Sequence, residues 1–199
     1  MKIELRNDDV LQVRAATVHQ GYRTREHTLY DWFMLADKIF ERYNFPCTLA
    51  ILAEGVLEAK QNPTYKNWVE HIKKNKHRYT IELHGLHHSH PSELTIEELR
   101  QDLSAGKEIL ENEFQTEITT WYVPFGRRYQ SPYGREICLE LGLNYDKFLG
   151  NIGTEHWLKS YEKHGQSPYE QINFHYWHKE QVENVEKIIK ICLQTPAPN

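Results

Sequence analysis

Residues 79–90 read Tyr79-Thr80-Ile81-Glu82-Leu83-His84-Gly85-Leu86-His87-His88-Ser89-His90. Residues 79–83 predict a strand, and a histidine-rich turn follows directly. The same event, a strand stopping at a polar cluster, recurs along the chain. Ile3 and Leu5 alternate with Lys2, Glu4 and Arg6 until Asp8-Asp9. Residues 119–123 run into Pro124-Phe125-Gly126, and residues 171–174 run into the segment His175-Tyr176-Trp177-His178. Cys47–Leu52 (CTLAIL) reads as a buried strand.

Helical patterns lie between these strands. Thr28 caps a helix that puts Trp32, Leu35, Ala36, Ile39, Phe40 and Tyr43 on one face, and Asn44 and Pro46 end it. A second helix is expected over residues 64–74, burying Tyr65, Trp68, Val69 and Ile72. Thr95 with Glu98 forms a capping box and Leu94 with Leu99 a hydrophobic staple, opening a helix that runs to Phe114. Ser131-Pro132 opens another that Gly142 closes, and residues 180–193 form the last. Alternating strands and helices predict a parallel α/β fold. Residues 14–27 and 151–170 match neither period and are expected as long loops walling a site.

Composition narrows the function classes. The 199 residues carry 24 Lys+Arg against 28 Asp+Glu, a net charge of −4, which excludes nucleic-acid binding through a basic surface and a polybasic membrane anchor. A hydrophobic content of 39% with 12% aromatics suffices for a core. One domain over residues 1–199 is expected, with 195–199 a loose tail. No run approaches the roughly 18 apolar residues of a membrane span, and the charged first residues do not resemble a signal peptide, so a soluble cytoplasmic protein is expected. Cys47, Cys138 and Cys192 lie too far apart for a zinc ribbon or a disulfide framework, and they are expected reduced and buried. Oligomeric state is not legible.

In parallel α/β folds the C-terminal ends of the strands share one face, where ligands collect. Clusters distant in sequence therefore converge. His84 and His88 are four apart and meet one ion if the segment turns like a helix. Asp8-Asp9 is the natural source of a third ligand. Two imidazoles, one carboxylate and an open position describe a catalytic rather than a structural zinc site. Of two adjacent aspartates, one can bind the cation while the other stays free as a base. His87 and His90 are expected at the surface or behind the ligands.

These residues resemble the NodB-type polysaccharide deacetylases, carbohydrate esterase family 4. Arg6-Asn7-Asp8-Asp9-Val10 looks like the family's paired-Asp motif, and His84-Gly85-Leu86-His87-His88 like its His-Ser/Thr-x-x-His motif. Pro124-Phe125-Gly126 resembles its Pro-Tyr/Phe-Gly turn, and His175 its catalytic histidine at the end of a late strand. The resemblance implies a deformed (β/α) barrel and a divalent metal, zinc before others, held by Asp9, His84 and His88. It implies Asp8 as general base and His175 as general acid, with His178 the alternative acid. Removal of an N-acetyl group from an amino sugar or glycan follows, with the Phe125 backbone N–H at the oxyanion. Pro124, Tyr122, Arg127, Arg128 and Trp177 would stand near the substrate.

The chain departs from the pattern at two places. Gly85 stands where the family has Ser or Thr. Tyr122 stands where it has an Arg two residues before the Pro, a charge for which Arg127 or Arg128 is the expected replacement. Asp146 is the candidate partner for the catalytic histidine. Two alternatives stay open: a metal-dependent amidase acting on a non-sugar substrate, and a non-catalytic module binding metal or glycan. The expected partner is a small molecule or an oligosaccharide, with no nucleic acid and no membrane.

Overall fold

Five parallel strands organise the protein in a computed structural model that describes residues 3–13, 28–145, 152–165 and 170–194. They are β1 (Glu4–Val10), β2 (Cys47–Leu52), β3 (Tyr79–Gly85), β4 (Ile152–Gly153) and β5 (Gln171–Phe174), in the order β3-β2-β1-β5-β4. Every pairing is parallel, so all five C-terminal ends lie on one side. The strand that begins the chain sits at the centre, between β2 and β5. Asp8 and Asp9, near the end of β1, thereby lie at the middle of the sheet's C-terminal side.

Beyond β3 the sheet continues thinly, with Trp121 bridging Leu83 and Thr120 bridging Asn144. The strand expected at 119–123 is therefore only a pair of single bridges. The reason is a side chain: the buried Glu82 carboxylate accepts from the backbone N–H of Thr119 (3.0 Å) and Thr120 (2.7 Å) and from the Thr119 hydroxyl (2.9 Å). These bonds occupy donors that a regular ladder would use. The result is the α/β architecture of a deformed, incomplete barrel, and no pair joins the Asn144 edge to β4 among the described residues.

Helices α1 (Leu29–Tyr43), α2 (Glu54–Glu58), α3 (Pro63–Lys74), α4 (Ile96–Phe114), α5 (Gly134–Glu140), α6 (Thr154–His164) and α7 (Lys179–Gln194) complete the fold. Thr28 caps α1 in a box with Asp31, and Thr95 caps α4 in a box with Glu98. Each box satisfies donors that the first helical turn leaves free. Phe33 of α1, Trp68 of α3, Leu103 of α4 and Ile188 of α7 are buried against Leu5, Ile51 and Leu83 of the sheet.

Two helices escape the sequence periodicity. In α6 only Trp157, Leu158 and Tyr161 pack on the core, too thin a stripe to read. The single-turn α2 exists because Gly55 lets it approach Leu11, where an added Cβ would stand 2.1 Å from the Leu11 carbonyl oxygen. Cys47 and Cys138 are buried, Cys192 is half-buried, and none forms a disulfide. Among the described residues no helix is long and apolar enough to cross a membrane. The tail 195–199 and the expected loop 14–27 lie outside the described residues.

Candidate active site

β1 does not end as a straight strand. Asp9 and Leu11 take positive φ values of 57° and 63°, and the register against β2 shifts between Asn7 and Val10. Side chains alternate along a regular strand, so neighbouring aspartates would face opposite sides. The left-handed turn at Asp9 breaks that alternation, and both carboxylates lie near enough to His84 to act on its charge.

His84 arrives from the last turn of β3. Its Nδ1–H donates to the Tyr122 carbonyl at 2.7 Å, which leaves the Nε2 lone pair to face the site. The chain then reverses through Gly85, whose φ of 128° is closed to other residues, rather than through the helix-like turn expected from the spacing. Asp102 of α4 holds this reversal, accepting from the N–H groups of Leu86 (3.0 Å) and His87 (3.2 Å). A Cβ at Gly85 would lie 3.2 Å from the Asp102 carboxylate, so this carboxylate fills the place beside Gly85. His87 turns away to Glu54 (2.9 Å), and the His90 ring stacks on Phe125.

Asp9 Oδ1 lies 2.8 Å from His84 Nε2 and 2.9 Å from His88 Nε2, and the three ligand atoms fall within 4.8 Å of one another. Despite these separations Asp9 Oδ1 has no aligned hydrogen-bond partner, because neither ring directs an N–H along the short vector. A buried carboxylate oxygen without a donor is costly. Two imidazole nitrogens and one carboxylate oxygen that converge without bonding each other fit a divalent cation of the zinc type. Burial pushes the Asp9 carboxyl up, but the two histidines outweigh it and hold the group well below the usual carboxylate range. Burial lowers His84 and Asp9 raises it, with a net rise.

Asp8 has a different partner. Arg6 grips it with two parallel bonds, Nε to Oδ1 at 2.5 Å and Nη2 to Oδ2 at 2.8 Å, and Asn173 adds a third at 3.3 Å. Burial raises the Asp8 carboxyl, yet the Arg6 charge prevails and lowers it overall. The Arg6 guanidinium lies 4.0 Å over the Tyr122 ring, whose hydroxyl donates to Glu4 at 3.0 Å. Arg6 thus brings a guanidinium between Asp8 and Tyr122; the side chains of Arg127 and Arg128, the expected replacements, lie outside the described residues. The signal was present in the sequence: a residue two before Asp8 on a strand shares its face.

The remaining expected residues fall into two groups. His175 Nε2 reaches within 3.7 Å of Asp9 Oδ2, and Phe125, at φ 57° and 44% exposed, packs its ring 4.2 Å from His88. These belong to the site, with Pro124 buried beside Phe125. Tyr122 and Trp177 do not stand open to a substrate. Both are buried, the first under Arg6 and the second against His175 at 4.9 Å.

The His178 ring stands edge-on to His175 at 5.8 Å. It lines a cavity of about 640 Å³ between the first turns of α6 and α7. Asp146 lies outside the described residues. The partner of His175 in the structure is Gln181 of α7, whose Oε1 accepts from the His175 backbone N–H at 2.7 Å and faces Nδ1 at 3.3 Å. Sequence reading missed Gln181 because it sought an acid.

The sequence pattern of the polysaccharide deacetylase family matches residues 15–145, about two-thirds of the chain. The chain belongs to that family. The matched span contains His84 and His88 but neither the Asp8-Asp9 pair nor His175, which only the folded structure adds to the group. No curated protein sequence matches the chain.

Several solved structures share the fold. A family 4 carbohydrate esterase from Streptomyces lividans, in complex with acetate, has a TM-score of 0.67 at 12% identity, over 96% of this chain and 88% of that one. The peptidoglycan deacetylase PdaC from Bacillus subtilis has a TM-score of 0.62 at 16% identity, over 95% and 81%. A CE4 family pseudoenzyme from Bacillus anthracis has a TM-score of 0.65 at 11% identity, over 97% of this chain but 61% of its own. A mutant CE4 pseudoenzyme with restored activity is likewise longer, this chain spanning 63% of its length.

Proposed function

We propose that residues 1–199 form one catalytic domain, a divalent-metal-dependent deacetylase that hydrolyses an N-acetyl group on an amino sugar or N-acetylated glycan. The observation that carries this reading is the convergence of Asp9, His84 and His88 beside an aspartate kept apart from them by its own arginine. Asp9, His84 and His88 would hold the cation, zinc by the preference of a two-nitrogen, one-oxygen donor set. A bound cation supplies Lewis-acid polarisation of the amide carbonyl and of water.

The chain's own groups do the rest. Asp8 accepts the proton of the attacking water, and Arg6 keeps its carboxylate ionised and aimed. The Phe125 N–H donates to the oxygen that turns negative when the carbonyl carbon becomes tetrahedral. His175, steadied at Nδ1 by Gln181, gives its Nε2 proton to the departing nitrogen as the C–N bond breaks. The products are acetate and a free amine. The Arg6–Asp8 pair counts against a purely binding module, because a bidentate buried arginine on a carboxylate beside the ligands serves no glycan contact.

The test is acetate release from N-acetylated chito-oligosaccharides and peptidoglycan fragments, set against simple amides and imides. We expect turnover on the sugars, lost on chelation and lost with bound zinc in His84→Ala. Turnover indifferent to chelation would overturn the metal role, and turnover on non-sugar amides alone would overturn the substrate class.

A further inference from the structure

Three histidines meet at the site, and the Nδ1 of each faces a partner that determines which ring nitrogen carries the proton. For His84 the partner is the Tyr122 carbonyl, which can only accept, so Nδ1 is protonated and Nε2 is free. For His175 it is Gln181, and this amide's orientation is settled because the His175 backbone N–H also donates to it, at 2.7 Å. That end must be the oxygen, and it is again an acceptor. For His88 the partner is the Gln12 amide, 3.2 Å from Nδ1, with its nitrogen end inward.

That orientation is at odds with ligation. A Gln12 N–H donating to Nδ1 leaves the proton of a neutral His88 ring on Nε2, the atom 2.9 Å from Asp9 Oδ1. A protonated nitrogen has no lone pair for a cation. The two ends of an amide are nearly identical in shape, so hydrogen-bond partners decide which one faces inward. The amide's own partners do not decide it: Gln12 Oε1 is buried and has none, so one end stays unmatched either way. The imidazole decides it.

The Gln12 backbone is well anchored for such a role. Its N–H donates to the Asp9 carbonyl at 3.3 Å, its carbonyl accepts from the Tyr65 hydroxyl at 2.8 Å, and the residue is 4% exposed. We infer that Gln12 is a positioning residue for His88: with the cation bound, its amide turns so that Oε1 accepts from Nδ1–H, and the Nε2 lone pair joins Asp9 and His84. This assignment rests on the metal reading above and adds to it a residue three positions beyond Asp9. One short segment then supplies a base, a ligand and the group that orients a second ligand.

The experiment measures zinc affinity, by competition with a chromophoric chelator, in the full chain and in two variants whose folding is checked by thermal melting. Gln12→Leu fills the same space without an acceptor, and we expect zinc affinity to fall about 10–100-fold, the usual effect of losing a partner that orients a metal-bound histidine. Gln12→Glu, whose ionised carboxylate can only accept, should bind zinc as tightly as the unaltered protein or more so. Unchanged affinity in Gln12→Leu overturns the assignment, and so does an equal loss in Gln12→Glu. If Gln12→Leu does not fold, nitrogen-15 NMR of the zinc-loaded unaltered protein decides: a His88 proton on Nδ1 supports the assignment and one on Nε2 overturns it. If the unaltered protein binds no zinc, the metal reading itself falls and takes this inference with it.

Discussion

The two ends of the sheet hold buried clusters made of the same residue types. At the C-terminal end stand Asp8, Asp9, His84, His88, Arg6 and Tyr122. At the N-terminal end stand Asp37 of α1, His71 of α3, and Arg78 and Tyr79 at the entry to β3. There the Asp37 carboxylate is saturated: Oδ2 meets His71 and the Arg78 Nη2 at 2.9 Å each, and Oδ1 accepts from the Tyr79 hydroxyl. At the other end Asp9 Oδ1 has two imidazoles beside it and no aligned donor. Residue type therefore does not make a site. The Asp37 carboxylate, met by donors from three elements, ties helices to a strand, while the Asp9 oxygen, flanked by two imidazoles with no aligned donor, fits a cation.

The largest expected effect is that of Arg6→Met. It leaves Asp8 buried without a counter-charge, which should lower stability by about 3–5 kcal/mol and turnover by about 10²–10⁴-fold. Urea unfolding and acetate release measure the two. At the opposite end Asp37→Ala strands Arg78 in the same way and should cost about 3 kcal/mol, while zinc affinity and kcat per folded molecule stay at their original values. Loss of zinc binding in Asp37→Ala would break the separation between the two ends.

Acid sharpens the same comparison. Burial raises the Asp37 carboxyl, but His71, Tyr79 and Arg78 together hold it below its ordinary value. A carboxyl lowered in the folded state stabilises fully above its unfolded pKa of about 3.9, and that contribution is lost as pH falls through the lower folded value. The stability difference between the unaltered protein and Asp37→Asn should be widest above about pH 4 and shrink below it. A difference constant across that range in urea titrations would remove the charge from the account. The smallest effect belongs to Gly85→Ala. Its Cβ would stand 2.9 Å from the His87 carbonyl oxygen at a φ of 128°, so about 1–3 kcal/mol should be lost, with weaker zinc binding. Unchanged zinc affinity there would show that the reversal at Gly85 does not set the ligand geometry.

Much of the scaffold was legible. Hydrophobic periodicity marked α1, α3, α4 and α7, and the Thr95–Glu98 capping box marked where α4 starts. Polar clusters at predicted strand ends marked the face that carries the candidate site, because parallel strands share a C-terminal side. α6 was missed because its buried stripe is thin, and residues 119–123 were over-read because Glu82 replaces a ladder with side-chain bonds. At the candidate site the residue types that converge were legible from chemistry, whereas their supports were not. In the sequence Arg6 is one more alternating polar residue, and Gln181 carries no charge that would mark it as the partner of a histidine.

Sequence alone determined most of the elements and their order, and that carboxylates and imidazoles would stand at strand ends. Those features follow from local period and residue chemistry. Tertiary structure decided who partners whom: Arg6 with Asp8, Gln181 with His175, Gln12 with His88, and Asp102 with the turn after His84. These pairings depend on β1 lying between β2 and β5, and on two backbone reversals at Asp9 and Gly85. A periodic pattern carries no information about which strand becomes the neighbour, nor about where one residue turns left-handed, so only the folded chain assembles the site.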